Sequence, residues 1–218
     1  MHLEVDIAGH AFRFARPADL ESLWSAMDEA DLGQDERIPY WVEIWPAAIL
    51  LAEWIFESAP VLAGQTCLDL GCGLGLCACA ATSCSARAVG VDYEPEAVRF
   101  AHANARLNNL PSQLFALMDW RSPGFKKEAF SYILGADIVY EKRFFEPLLS
   151  LFDAALAPGG RIWLTAPIRE VSKDFWELLK GRGWRPRRLR RRAVSYREYN
   201  HMDVELWEIT RQAEQEWP

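Results

Sequence analysis

The sequence predicts a doubly wound α/β fold, one sheet with helices on both faces, and three observations carry that expectation. From Thr66 onward, short apolar segments alternate with longer stretches of helical spacing, the pattern of strands joined by crossover helices. The first of those segments runs straight into glycines at three alternate positions, Gly71, Gly73 and Gly75. Near the end the alternation gives way to two extended segments, 184–190 and 203–210, that read as a closing antiparallel pair.

Taken in order, strands are expected at 66–70, 87–91, 113–117, 131–136 and 160–165, with helices near 75–84, 94–108 and 143–157. Pro158-Gly159-Gly160 marks a sharp stop before the fifth of these strands, and a further helix at 172–180 ends at Gly181. Ahead of this core, Leu3 to Ile7 and Ala11 to Phe14 read as a β-hairpin turning near Gly9. Pro17 to Ala30 has helical spacing at Leu20, Leu23, Trp24 and Met27, followed by a polar loop from Asp31 to Arg37. Pro46 sits where the first turn of another helix would start, with Ile49, Leu50, Ile55 and Phe56 continuing its apolar side. Residues 1–60 are therefore expected to form an N-terminal extension packed on a domain spanning 61–218, the two folding as one unit.

Half of the 218 residues are apolar, which suits one domain with a large core. No apolar run reaches the roughly 18 residues of a membrane span, and the N-terminus lacks a signal-peptide pattern. The five cysteines fall between Cys67 and Cys84 without paired C-x-x-C spacing or histidine partners. They read as small residues filling a tight helix–sheet contact in a reducing cytoplasm, with no metal site. Residues 1–60 carry a net charge of −9 and 181–218 a net of +3. An overall net of −7 makes nucleic acid an unlikely partner.

The glycine turn carries the chemistry. Glycine has no Cβ and accepts φ > 0, so a ligand can lie against the backbone there, facing the free N–H groups of the next helix. A dinucleotide turn would read G-x-G-x-x-G, but Leu76 stands at the third glycine's position. Asp69 would repel a pyrophosphate and suits a positively charged ligand instead. The turn thus favours an adenosine-like cation, for which S-adenosylmethionine is the candidate; the bland alternative is a glycine-rich connection that binds nothing. Asp92 ends the next strand roughly 20 residues on, where α/β folds place a ribose ligand, although a helix N-cap suits it equally. Tyr93 is then placed beside the adenine.

The run Cys67-Leu68-Asp69-Leu70-Gly71-Cys72-Gly73-Leu74-Gly75 resembles the first motif of the seven-stranded S-adenosylmethionine-dependent methyltransferases. That resemblance implies a Rossmann-like seven-stranded sheet and cofactor contacts from Asp69, Gly71, Cys72, Gly73 and Gly75. It also implies that Asp119 bonds the adenine amino group while Trp120 covers the ring. Asp137-Ile138-Val139-Tyr140, after the fourth strand, resembles the post-strand motif of the protein lysine methyltransferases in this superfamily. Pro39 to Pro46, with Trp41 and Trp45, is similar to a segment of the enzymes acting on the electron-transfer flavoprotein β subunit and on a ribosomal protein. In that group it closes over the cofactor pocket, so Trp45 joins the expected cofactor contacts; spacing alone would make the two tryptophans a core stripe. One departure stands out: Ala166-Pro167-Ile168-Arg169 replaces the group's usual Asp-Pro-x-Arg.

The expected activity is methyl transfer from S-adenosylmethionine to a lysine of a protein substrate, with Asp137 orienting the amine and contacting the cofactor, and Tyr140 lining the channel. A small-molecule N-methyltransferase and a non-catalytic cofactor-binding protein are the alternatives. Seven arginines between Arg182 and Arg192 read as a solvated edge strand, or as a docking surface for an acidic protein partner.

Overall fold

The computed structural model describes residues 1–27, 38–197 and 199–211. It opens with a two-stranded antiparallel hairpin, β1 (His2–Ile7) and β2 (His10–Ala15), whose alternate residues Leu3, Val5, Ile7, Phe12 and Phe14 are buried. Next come a short helix α1 (Leu20–Ser25), a 3₁₀ turn (Tyr40–Val42), α2 (Pro46–Glu57) and α3 (Ala59–Leu62). The alternating core follows as β3 (Thr66–Leu70), α4 (Leu76–Ser83), β4 (Arg87–Asp92), α5 (Pro95–Leu107), β5 (Leu114–Leu117) and β6 (Phe130–Ala136). It ends with α6 (Phe145–Ala155), β7 (Leu156–Pro167), α7 (Glu170–Gly181), β8 (Trp184–Tyr196) and β9 (Tyr199–Arg211).

The seven strands β3–β9 form one sheet in the order β5-β4-β3-β6-β7-β9-β8, parallel from β5 through β7, with β9 antiparallel to both neighbours. The chain leaves β3 in one direction and returns to β6 on its other side, so the order reverses there. Such a switch point opens a crevice at the carboxyl ends of the strands. One buried cluster gathers α2, α4 and α5 against the sheet, and a second gathers α6 and α7 on the opposite face. The doubly wound expectation holds.

The cysteines serve packing. All five are buried and unpaired, and burial pushes the Cys67 and Cys79 thiols up to about 12. Because α4 is built from cysteine and alanine, it approaches α2 closely enough for the Cys77 Sγ to reach the Ala48 carbonyl at 3.7 Å.

Three local expectations change. The helix expected over Pro17 to Ala30 appears only as Leu20–Ser25, capped by Asp19, whose carboxylate accepts from the Ser22 N–H at 2.8 Å. Six residues cannot present a full apolar face, and none of them is buried; Trp24 is 51% exposed. The part beyond Met27, and the loop expected from Asp31 to Arg37, lie outside the described residues. The helix expected to 157 stops at Ala155, and Pro158-Gly159-Gly160 becomes an irregularity inside β7 rather than a stop before it. The closing strands are also longer than expected, at 13 residues each.

Six of the seven clustered arginines are engaged with carboxylates: Arg182 with Glu146, Arg187 with Glu208, Arg188 with Glu205, Arg190 with Glu57, Arg191 with Asp203 and Arg192 with Glu53. Only Arg185 has none among the described residues. From Arg185 onward the run lies on the edge strand β8, while Arg182 caps the end of α7.

Candidate active site

A cavity of about 510 Å³ opens over the carboxyl ends of β3 to β7, at the switch point. The parallel strands deliver its floor. β3 ends at the glycine turn, β4 at Asp92, β5 before Asp119-Trp120, β6 before Asp137, and β7 before Arg169. The Tyr40–Trp45 segment closes one side, held by the Trp45 indole N–H donating to the Tyr40 carbonyl at 2.9 Å.

The turn after β3 depends on backbone that only glycine adopts easily. Gly71 has φ +64, and a Cβ there would meet the Ile138 side chain at 3.2 Å and the Trp120 ring at 3.4 Å. Gly75 differs from the other expected contacts. It does not line the cavity; its missing Cβ would fall 2.9 Å from the Phe115 ring, so it lets the turn and α4 pack on β5. The glycine one place early in the spacing therefore does a packing job.

Asp69 is 2% exposed, lines the cavity and accepts from the Ala78 N–H of α4 at 3.0 Å. Burial raises its carboxyl to about 7, the Ala78 bond opposing and the Asp92 charge adding to the shift. Of the two roles its position allows, Asp92 does not take the helix cap: the N-cap of α5 is Glu94, and Asp92 sits two residues ahead of it. It lines the cavity, and its two oxygens accept from the Gly73 and Glu94 N–H groups at 2.8 and 3.0 Å, pinning the turn to the start of α5. Burial holds its carboxyl above the ordinary range despite those bonds. Cys72 lines the wall between them, buried.

On the adenine side expected from the sequence, Asp119 is clamped by Arg121, with Nε at 3.0 and 2.9 Å from its two oxygens. That pairing holds its carboxyl below the usual range. The same guanidinium lies 5.8 Å from the centre of the Tyr93 ring. Trp120 packs edge to face on Phe144 at 5.4 Å, and its buried Nε1–H has no partner. Tyr93 and Trp120 both line the cavity.

On the acceptor side expected from the sequence, Asp137 has a left-handed backbone, φ +55, stabilised by its N–H donating to the Thr165 carbonyl at 2.7 Å. Its carboxylate takes a two-pronged ion pair from Arg169, Nη2 to Oδ2 at 3.0 Å. Tyr140 packs between the rings of Tyr40 and Phe144 at 6.1 and 5.8 Å. Burial, with the charges of Glu141, Asp137 and Asp92, pushes its phenol well above the ordinary value, so it stays protonated at neutral pH.

Sequence reasoning missed two members. Arg169 was visible only as the tail of a departing motif. Glu43 lines the cavity while its Oε1 accepts from the Arg16 guanidinium and from the Leu20 N–H at 3.1 Å; its Oε2 is buried with no partner. Among the described residues no cluster of histidine, cysteine or carboxylate side chains could hold a metal ion.

The residues suit the expected cofactor. Buried carboxyls, exposed glycine backbone, aromatic faces and an orphaned indole N–H match a cationic, adenosine-bearing ligand. Residues 28–182 match a family model described as lysine methyltransferase. The chain belongs to the lysine methyltransferase family. Like other members of that family it is an S-adenosylmethionine-dependent methyltransferase. Relatives of this lysine methyltransferase family member include the histone-arginine methyltransferase METTL23 of Rattus norvegicus, 26% identical over 69% of this chain and 70% of that protein. The ribosomal protein L11 methyltransferase of Pseudomonas aeruginosa is 30% identical over 74% of this chain, which spans about half of that protein, 54%. Two solved structures share the fold. The TehB-like methyltransferase of Corynebacterium glutamicum has a TM-score of 0.58 at 18% identity, covering 88% of this chain and 96% of that one. The L11 methylase of Lactobacillus delbrueckii has 0.58 at 20% identity, covering 74% and 77%.

Proposed function

We propose that this lysine methyltransferase family member N-methylates a lysine side chain of a protein substrate. The observation that carries the reading is Asp137, fixed at the end of β6 on the cavity wall beside Tyr140. When bound, S-adenosylmethionine supplies a methyl group on a sulfonium whose departure as a thioether needs no proton. The chain's own task is to hold a neutral amine in line and exclude water. Asp137 accepts from an amine N–H and so points the lone pair; Tyr140, kept protonated, walls the channel and does not act as a base. Asp69 and the glycine turn hold the cofactor's charged end, Asp92 its ribose, and Tyr93, Asp119 and Trp120 its adenine.

The choice of lysine over arginine follows from Arg169. Both Asp137 oxygens already bond an internal guanidinium, so an acceptor arginine would have to displace it to bind by its own fork. An amine needs only one free lone pair. The METTL23 and L11 relatives are named for protein substrates, which supports a protein acceptor here. The arginine run, engaged internally, leaves only Arg185 for docking an acidic partner. The reading also keeps residues 1–60 as an extension on the catalytic domain 61–218, and a cytoplasmic setting, supported by five unpaired cysteines; among the described residues no helix is long and apolar enough to cross a membrane.

Two measurements test it. Incubation of the enzyme with methyl-tritiated S-adenosylmethionine and a size-fractionated cell extract is expected to label a discrete protein band, mapped to lysine by mass spectrometry. Label confined to the small-molecule fraction would make the acceptor a metabolite. The second concerns Asp69. Its carboxyl titrates near 7 when folded against an ordinary value of 3.8, so the native state binds the proton more tightly than the unfolded one. Its contribution to stability is complete below about pH 4 and is lost as pH rises through about 7. A cation beside it favours the ionised form, so affinity for S-adenosylmethionine should rise at least about tenfold from pH 5 to 7.5, one pKa unit of mismatch being a factor of ten. Calorimetric titration should show that slope largely removed in Asp69→Asn; a slope unchanged in the variant assigns it to another group.

A further inference from the structure

Two asparagine side chains dock the N-terminal hairpin on α5 by standing in for a neighbouring strand. One edge of β2 pairs with β1; on the other, Arg13 and Ala15 present N–H and C=O groups about 6.7 Å apart. Asn104 and Asn108, one helical turn apart on α5, are separated by about 6 Å along its axis. The spacings match, so each amide meets one residue. Asn108 Oδ1 accepts from the Arg13 N–H at 2.9 Å, and its Nδ2 donates to the Arg13 carbonyl at 2.7 Å. Asn104 Oδ1 accepts from the Ala15 N–H at 2.7 Å, and its Nδ2 donates to the Ala15 carbonyl at 3.2 Å.

Asn104 reaches one step further. It is fully buried, and its Nδ2 also donates to the Leu74 carbonyl, in the glycine turn, at 3.1 Å, which occupies both of its N–H donors. The turn is thus held at three successive residues. The Cys72 N–H donates to the Val91 carbonyl at 2.9 Å, the Gly73 N–H to Asp92 at 2.8 Å, and the Leu74 carbonyl accepts from Asn104. The first two partners belong to β4; of the three, Asn104 is the one that leads out to the hairpin. Leu74 lines the cavity and Asn104 does not, so Asn104 acts on a ligand only through the turn. The hairpin approaches the turn a second time: Arg16, next after Ala15, bonds Glu43, and a Cβ on Gly73 would meet the carbonyl of nearby Trp41 at 3.3 Å.

We propose that Asn104 is a positioning residue for the cofactor: it fixes the Leu74 carbonyl, and with it the glycine backbone that S-adenosylmethionine lies against, and so couples cofactor binding to docking of the N-terminal hairpin. The physical reason is preorganisation. Glycine has more backbone freedom to lose than any other residue, which makes the turn the softest part of the cavity wall. A turn already held in its bound shape leaves less of that ordering to be done when the ligand arrives. Without the Asn104 bond the Leu74 carbonyl is a buried acceptor in need of a partner, and the turn shifts to find one. The coupling is reciprocal: whatever factor hairpin docking adds to cofactor affinity, bound cofactor adds to hairpin docking. The inference concerns the cofactor half of the site and does not depend on which acceptor is methylated.

Asn104→Ala and Asn108→Ala separate the two jobs of these amides. Each removes the bonds to one hairpin residue, but only the first frees the turn. Calorimetric titration with S-adenosylmethionine, well below each variant's melting transition, is expected to show affinity about tenfold weaker in Asn104→Ala, the value of one buried hydrogen bond, and within about twofold of wild type in Asn108→Ala. A second measurement needs no variant: hydrogen exchange of the Ala15 N–H in the wild type, followed by NMR with and without S-adenosylmethionine. Saturating cofactor is expected to slow that exchange by about the same tenfold, because opening the hairpin would give up the coupling. In Asn104→Ala the slowing should vanish. An asparagine with a purely structural role would lower Tm on substitution and move neither readout. Undiminished affinity in Asn104→Ala, or equal losses in both variants, overturns the positioning role. Wild-type exchange at Ala15 that ignores the cofactor overturns the coupling, and does so even where Asn104→Ala fails to fold.

Discussion

Asp137→Asn is expected to lower kcat by at least about 100-fold, the penalty of a misplaced reacting group, while affinity for S-adenosylmethionine stays essentially unchanged. Asparagine tolerates the left-handed backbone at this position, φ +55, so the substitution removes charge and leaves the chain path alone. Two consequences follow. The acceptor amine loses the oxygen pair that points its lone pair, and the amide offers donors in its place. Arg169 loses the carboxylate it clasps, leaving a guanidinium free to turn toward solvent rather than fixed on the cavity wall. Single-turnover transfer with binding measured separately by calorimetry checks this. Asp137→Ala should lose as much activity and add a stability cost of about 1–2 kcal/mol, because alanine pays for the left-handed conformation without a compensating bond. Turnover near wild type in Asp137→Asn would remove this residue from the acceptor side.

The sequence exposed the parts of the site that sit at fixed distances from a recognisable element. Asp92 and Asp137 could be found because one ends a strand and the other directly follows one in a regular alternation, and strand ends in such sheets face the ligand. The sheet was legible for the same reason: β3, β4 and β6 are nearly continuous apolar runs. Gly75 shows where spacing fails. A glycine in a turn is required either by a ligand in front or by packing behind, and only the position of Phe115, 40 residues on, decides between them. The Pro17–Ala30 segment shows a second limit, since helical spacing is not evidence of a partner surface, and α1 finds none among the described residues. The arginine run shows a third. Its charge is conspicuous in one dimension, but Glu53, Glu57, Glu205 and Glu208, which neutralise it, come from α2 and β9.

The least legible member of the site is expected to have the largest effect on stability. Arg16 and Glu43 are 27 residues apart, in segments with no periodic signal, and charged residues there would be assigned to the surface. In the structure both side chains are 1% exposed and bonded to each other, with Glu43 also accepting from Leu20. Removing one partner from such a pair strands the other charge away from water, so Arg16→Ala is expected to destabilise the protein by about 3–5 kcal/mol. For a chain of this length that is a fall in Tm of about 10 °C. The same loss should reach function. Glu43 stands between Tyr40-Trp41 and Trp45-Pro46, and Arg16 immediately follows β2, so the pair fastens the aromatic side of the cavity to the N-terminal hairpin. Arg16→Ala should therefore also weaken S-adenosylmethionine binding, measured below the variant's own melting transition. Replacing both partners by apolar residues, Arg16→Met with Glu43→Leu, should recover much of the stability, because no charge is left stranded. It should not recover affinity if Glu43 reaches the ligand with its unpartnered Oε2. A single variant within about 1 kcal/mol of wild type, the ordinary range for an exposed pair, would show that the two charges are hydrated in solution and that the pair does not hold the cavity wall.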